Sequence, residues 1–261
     1  MKNLITITTF FILIFISTFT GAQPKKYTEA NAHSHNDYLN NMPFYSAYKN
    51  GFGSIEVDIF PVNGVLCVAH SKREIQPDRT LKNLYLEPLL NELASDSSRR
   101  LKLLVDIKED YKVSLQLLIN EILPLKKYLS LPQERRSLLI LVSGNRPPPA
   151  EYKNYPDYIF FDDHLTLRHS ATDWERVGQV SLSFVKFSAW KGEGPIGKKD
   201  RKLLKHTIDS VRHAGKTIRF WAAPDNEASW KMQMKLGVDL IGTDKIDELA
   251  KFLRRMSKRN N

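Results

Sequence analysis

From residue 30 onward, short apolar runs alternate with longer amphipathic stretches, the pattern of a parallel sheet whose strands are each followed by a covering helix. The runs predict strands over 30–35, 54–60 with a companion at 65–70, 102–107, 138–143, 158–162, 180–187, 217–222 and 239–243. Helical periodicity predicts helices over 43–50, 81–94, 113–128, 200–214, 227–236 and 247–256. Leu115, Leu118, Ile119, Ile122 and Leu123 recur at the spacing that puts them on one helix face. Gly51, Gly215 and Gly237 close three helices where a left-handed cap is expected. Pro147-Pro148-Pro149 breaks the crossover after residue 143, so one unit is expected to be degenerate. About eight strand–helix units favour a single (β/α)8 TIM-type barrel over an open doubly wound sheet, and no glycine-rich phosphate loop follows the first strand.

The first 22 residues break this pattern. An early Lys2, an unbroken apolar stretch from Phe10 to Ile16 and small residues at Thr20 and Ala22 read as a secretory signal cleaved before Gln23. An uncleaved anchor is the alternative. About 240 residues would remain as one barrel domain, 23–261, in the periplasm or the medium. Cys67 is the only cysteine, so an intramolecular disulfide is excluded. The net charge of +10, much of it near the C-terminus, suits attraction to anionic lipid or phosphate-bearing substrates, and export argues against nucleic acid. A monomer is expected, in peripheral contact with anionic membrane at most.

In a barrel, polar residues at strand C-terminal ends reach the active-site mouth. Ser54-Ile55-Glu56-Val57-Asp58-Ile59 alternates, placing Glu56 and Asp58 on one strand face. Two inward carboxylates repel one another and are stable chiefly with a cation between them. Asp106 ends the next strand, so the three carboxylates form the oxygen-rich shell that Mg2+ or Ca2+ prefers. Lys108, two residues on, shares Asp106's strand face, where it can reach a phosphate oxygen. His33 and His70 end strands on either side of the cluster, and two near-neutral imidazoles suit the proton transfers of phosphodiester cleavage. Trp221, at a strand end, is positioned to floor the pocket or to pack inside the barrel.

These residues resemble the glycerophosphodiester phosphodiesterase and phosphatidylinositol-specific phospholipase C superfamily. The matching order is His33 and Asn36, then Glu56-x-Asp58, then His70, then Asp106-Ile107-Lys108, with Phe220-Trp221 and Gly242-Thr243-Asp244 similar to its C-terminal end. The finer pattern, His33-Ser34-His35-Asn36-Asp37-Tyr38 with Leu84-Tyr85-Leu86-x-Pro88-Leu89, is closest to the branch named for altered inheritance of mitochondria proteins. Ser34 stands where typical glycerophosphodiesterases carry arginine, and Ser71 where they carry aspartate. The resemblance implies a metal-dependent phosphoric diester hydrolase acting on a glycerophosphodiester or lipid headgroup. His33 and His70 would share the acid and base roles, Glu56, Asp58 and Asp106 would hold Mg2+ or Ca2+, and Lys108, Asn36 and Trp221 would bind substrate.

Two other readings remain at this stage. His33-x-His35 with Asp244 would suit an amidohydrolase-like metal hydrolase, and a catalytically silent barrel would bind lipid headgroups through its basic surface.

Overall fold

The computed structural model describes residues 26–259, and the expected signal at 1–22 lies outside them. Eight parallel strands, β1 Ala32–Ser34, β2 Ser54–Val62, β4 Leu101–Ile107, β5 Leu138–Gly144, β6 Ile159–Asp163, β7 Val177–Ser183, β8 Ile218–Trp221 and β9 Ile241–Thr243, run side by side in the order β8-β7-β6-β5-β4-β2-β1-β9. The short β3, Val65–Val68, pairs antiparallel with the outer half of β2. The ends of the sheet meet where Asp239 and Leu240 donate backbone hydrogen bonds to the Ile218 carbonyl, 3.1 and 3.3 Å, which brings the sheet to a nearly closed barrel. No helix among the described residues is long and apolar enough to cross a membrane.

Strand alternation divides the two faces. Ile55, Val57, Ile59, Leu103, Val105, Ile140 and Val142 point outward into one buried apolar layer under the helices. Those helices are α1 Tyr45–Lys49, α2 Glu87–Ser95, α3 Tyr111–Glu121, α4 Ala171–Glu175, α5 Lys198–His213, α6 Glu227–Leu236 and α7 Ile246–Arg259. In α7, Ile246, Leu249, Ala250, Phe252 and Leu253 are all buried, each larger side chain worth roughly 1.5–3 kcal/mol of burial. A second apolar cluster joins Leu204, Ile208 and Val211 of α5 to Val180, Leu182, Ile218 and Phe220.

Two departures from the expected boundaries have a visible local cause. The helix expected over 113–128 stops at Glu121 and continues as a 3-10 helix, because Pro124 cannot supply the next helical N–H. The strand expected from residue 180 begins at Val177. Gly178 permits this, since a Cβ there would come within 2.8 Å of Leu141 and 3.1 Å of Phe160 inside the barrel. After β5 the crossover holds only the 3-10 helix Pro149–Asn154, the degenerate unit that the prolines predicted.

Candidate active site

The barrel's C-terminal mouth is built by loops whose anchors are local. Asp37, fully buried, accepts hydrogen bonds from Ser34 Oγ (2.7 Å), the Phe44 backbone N–H (2.5 Å) and Tyr85 OH (3.0 Å). Burial nonetheless raises its carboxyl above the usual value against those three donors. This knot fixes the turn after β1, with Asn36 at φ 48° and Phe44 at φ 64°, and so aims His35, Asn36 and Tyr38 across the mouth.

Parallel register places Asp58, Asp106 and Ser143 side by side on β2, β4 and β5. Lys108 Nζ lies between the two aspartates, 2.7 Å from Asp58 Oδ2 and 2.6 Å from Asp106 Oδ2, and Ser143 Oγ donates to Asp106 Oδ1 at 2.6 Å. Tyr38 OH donates to Asp58 Oδ2 at 2.7 Å and lies 2.9 Å from Asn36 Oδ1. His70 Nδ1 sits 3.1 Å from Tyr38 OH and 3.3 Å from Asp58 Oδ2, and its side chain is 59% exposed. With Nδ1 engaged by these oxygens, Nε2 is the ring nitrogen with no partner among the described residues. On the far side His35 Nδ1 lies 2.8 Å from Asp244 Oδ1 and 3.0 Å from Asn36 Nδ2. Partial burial disfavours the His35 imidazolium, but Asp244 and Glu56 outweigh it and hold its pKa above the ordinary value. One continuous polar arc therefore crosses the mouth, from Asp244 through His35, Asn36, Tyr38, His70 and Asp58 to Lys108, Asp106 and Ser143.

One level deeper, His33 is completely buried, with Nδ1 2.8 Å from Ser54 Oγ and Nε2 2.8 Å from Glu56 Oε2. Arg219 Nη1 approaches the same Glu56 oxygen at 2.6 Å and also touches His33 Nε2, while its Nε donates to Ser181 Oγ at 3.3 Å. Burial, then the neighbouring guanidinium, push the His33 pKa down to about 3. Burial alone would raise the Glu56 carboxyl, but Arg219 and His33 reverse that and hold it well below the usual range. Leu104, Leu141 and Phe160 fill the rest of this level as an apolar plug.

These positions redistribute the residues picked out from the sequence. His70, Asn36 and Lys108 reach the mouth, and Trp221 stands 43% exposed on its rim rather than flooring a pocket. His33 does not reach the mouth: both its ring nitrogens are engaged in the interior, and the imidazole that emerges from β1 is His35. With His33 tied to Ser54 and Glu56 and His35 to Asp244, the two do not form a metal-binding pair. Glu56, Asp58 and Asp106 do not converge on one point either, because Arg219 takes the first and Lys108 bridges the other two. Among the described residues no group of three His, Cys, Asp or Glu side chains could hold a metal ion. The donors at the mouth still suit a hard cation in one respect: Asp58 Oδ1 is buried with no hydrogen-bond partner. Arg219 was missed from the sequence, although Ile218 and Phe220 on the opposite face already placed it inward with Trp221.

Comparison with known proteins agrees with this architecture. Residues 24–96 match the AIM6-like phosphodiesterase domain, and residues 217–247 match the Glycerophosphoryl diester phosphodiesterase family. The Altered inheritance of mitochondria protein 6 homolog of Arthroderma benhamiae is 26% identical over 263 residues, covering 82% of this chain and 81% of its own. Altered inheritance of mitochondria protein 6 of Eremothecium gossypii is 26% identical, with coverage of 84% and 68%. Among solved structures, a calcium-dependent phosphoinositol-specific phospholipase C from Pseudomonas sp superposes with a TM-score of 0.57 at 12% identity, covering 88% of this chain and 91% of that one. A glycerophosphodiester phosphodiesterase from Parabacteroides distasonis gives 0.55 at 15% identity, covering 88% and 99%. At these identities the superpositions establish a shared barrel fold.

Proposed function

We propose, for a chain that resembles the glycerophosphodiesterase and phospholipase C superfamily in its altered-inheritance-of-mitochondria branch, a phosphoric diester hydrolase working at the barrel mouth. The polar arc carries the reading: it holds two imidazoles, each with Nδ1 against a carboxylate, and one ammonium along a single open surface. His70, with Nδ1–H fixed by Tyr38 and Asp58, presents Nε2 to remove the proton from the attacking hydroxyl or water. His35, held toward its protonated form by Asp244, is the group that protonates the leaving alkoxide. Lys108 stabilises charge on the phosphoryl oxygens. His33, Glu56 and Arg219 support the arc from below and do not touch the substrate.

Asp58 would offer its unpartnered Oδ1 to a divalent Mg2+ or Ca2+, beside Asp106, whose two oxygens are engaged by Ser143 and Lys108. When bound, the cation supplies Lewis-acid stabilisation of the phosphoryl oxygens. For substrate class, six of the large exposed apolar side chains, Leu39, Met42, Leu165, Leu167, Val185 and Trp221, stand at strand C-terminal ends or in the turns, short 3-10 helices and loops that follow them at the mouth. An apolar rim around a phosphate-directed site suits a lipid headgroup whose chains remain in an anionic membrane surface. Exported enzyme would meet such lipid outside the cytoplasm.

Hydrolysis of bis(p-nitrophenyl) phosphate and of p-nitrophenyl phosphate, with EDTA or with added Mg2+ or Ca2+, tests the reading. Release of nitrophenolate from the diester in preference to the monoester, lost in His70→Ala, supports it. Equal rates for wild type and His70→Ala, or no turnover with any cation, would remove its basis.

A further inference from the structure

The opposite end of the barrel holds a cavity of about 380 Å3 that the mouth chemistry does not use. Its wall carries Arg100, Lys102, Arg135 and Lys216 against one carboxylate, Glu175. Arg136 also lines it but is neutralised by a two-pronged pairing with Glu134, 2.7 Å at each contact. Leu139 and Phe160 form an apolar inner face.

The lysines are poorly compensated. Lys102 Nζ reaches only neutral acceptors, Thr217 Oγ1 at 2.9 Å and Gln179 Oε1 at 3.2 Å, so one of its three N–H groups has no acceptor there. Lys216 Nζ donates to the Val177 carbonyl at 2.7 Å and lies 5.2 Å from the Trp174 ring centre. Among the described residues neither makes an ion pair, and neither do Arg100 and Arg135. Burial pushes both lysines down to about 8, against the pull of Asp239 and Asp162 on Lys102 and of Glu175 on Lys216. Arg135 depresses both, so the three charges converge on one space; Arg219 adds to the effect on Lys102. Enclosed ammonium groups without an anion are costly to keep charged, and a bound anion would relieve all of them together.

We propose that this cavity binds a small phosphate-bearing anion. Two guanidinium groups supply the forked donors that grip a tetrahedral oxyanion, and the enclosed lysines supply charge at its base. The volume leaves room for an organic portion against Leu139 and Phe160, so inorganic phosphate and a phosphomonoester share the recognising chemistry. The inference is independent of the reaction proposed for the mouth.

The test is isothermal titration of the full chain at low ionic strength with inorganic phosphate and, separately, with glycerol phosphate. Wild type is compared with Arg135→Gln, Lys216→Gln and the mouth variant Lys108→Gln. Saturable binding weakened about ten-fold or more by Arg135→Gln and by Lys216→Gln, and retained in Lys108→Gln, is expected. Tighter binding of glycerol phosphate would assign the cavity to a phosphomonoester, and tighter binding of inorganic phosphate to the free anion. Arg135 is exposed on its loop, so its variant decides the matter even if Lys216→Gln fails to fold. No saturable binding to wild type, or binding lost in Lys108→Gln and kept in Arg135→Gln, overturns the proposal.

Discussion

Replacing Arg219 by methionine should be among the most damaging single changes in the barrel interior. Arg219 is 5% exposed and Glu56 6% exposed, with Nη1 2.6 Å from Oε2, so the variant leaves an enclosed carboxylate whose one remaining hydrogen-bond partner among the described residues is the neutral His33 imidazole. Removing one partner of a buried pair costs about 3–5 kcal/mol, which corresponds to roughly 6–20 °C in melting temperature for a domain of this size. Glu56→Gln in the same chain removes the stranded charge and keeps an acceptor for His33, so the double variant should recover most of the loss. The assay is urea unfolding followed by circular dichroism for wild type, both single variants and the double, read as a coupling energy. Salt at 0.5 M should change that coupling little, because the pair is shielded from solvent. An Arg219→Met protein within about 1 kcal/mol of wild type, or a double variant no better than the single, would refute the reasoning.

Acid should destabilise the fold before ordinary carboxylates titrate. His33 titrates near 3 when folded and near 6.5 when unfolded, so the unfolded chain takes the proton first. The stability from its neutral form is complete above about pH 6.5 and is lost as pH falls toward 3, with Glu56 adding loss in the same direction. Urea midpoints between pH 7.5 and 5 should fall in wild type and flatten in His33→Asn; parallel slopes would count against the buried neutral imidazole. Asp37→Ala strips an acceptor from Ser34, Phe44 and Tyr85 and should cost about 2–4 kcal/mol in the same unfolding assay, with a loss under 1 kcal/mol contradicting the knot. Trp221→Ala combined with Leu165→Asp should lower binding to anionic vesicles about ten-fold or more in a sedimentation assay, since each buried apolar side chain is worth roughly 1.5–3 kcal/mol. Undiminished sedimentation would take the rim out of the account.

Periodicity made the barrel legible, because its outward strand faces are continuous apolar stripes, as in Ile55, Val57 and Ile59, and the longer helices present matching faces. The boundaries that slipped depend on tertiary contact: the strand starts at Val177 only because Gly178 fits against Leu141 and Phe160 from other strands. At the site, alternation correctly sent Glu56 and Asp58 inward, while the expected metal cation between the carboxylates is not what the described residues place there. The compensating charges come from within the chain, from Lys108 beside Asp58 and Asp106 and from Arg219 beside Glu56. Two strands as distant in sequence as β2 and β8 meet only when the barrel closes, so the Glu56–Arg219 pairing had no local signal. His33 lies in β1 and His35 in the turn just after it, and their depths were not separable until the loop held by Asp37 showed which one emerges.

The most direct test of the mouth as a diester-cleaving site is phosphorus NMR of one glycerophosphodiester incubated with wild type, His70→Ala and Lys108→Met. The account predicts that wild type converts the diester resonance to a phosphomonoester or cyclic phosphate, with both variants slower by a factor of about 100 or more. Conversion at the wild-type rate by His70→Ala and Lys108→Met would contradict it.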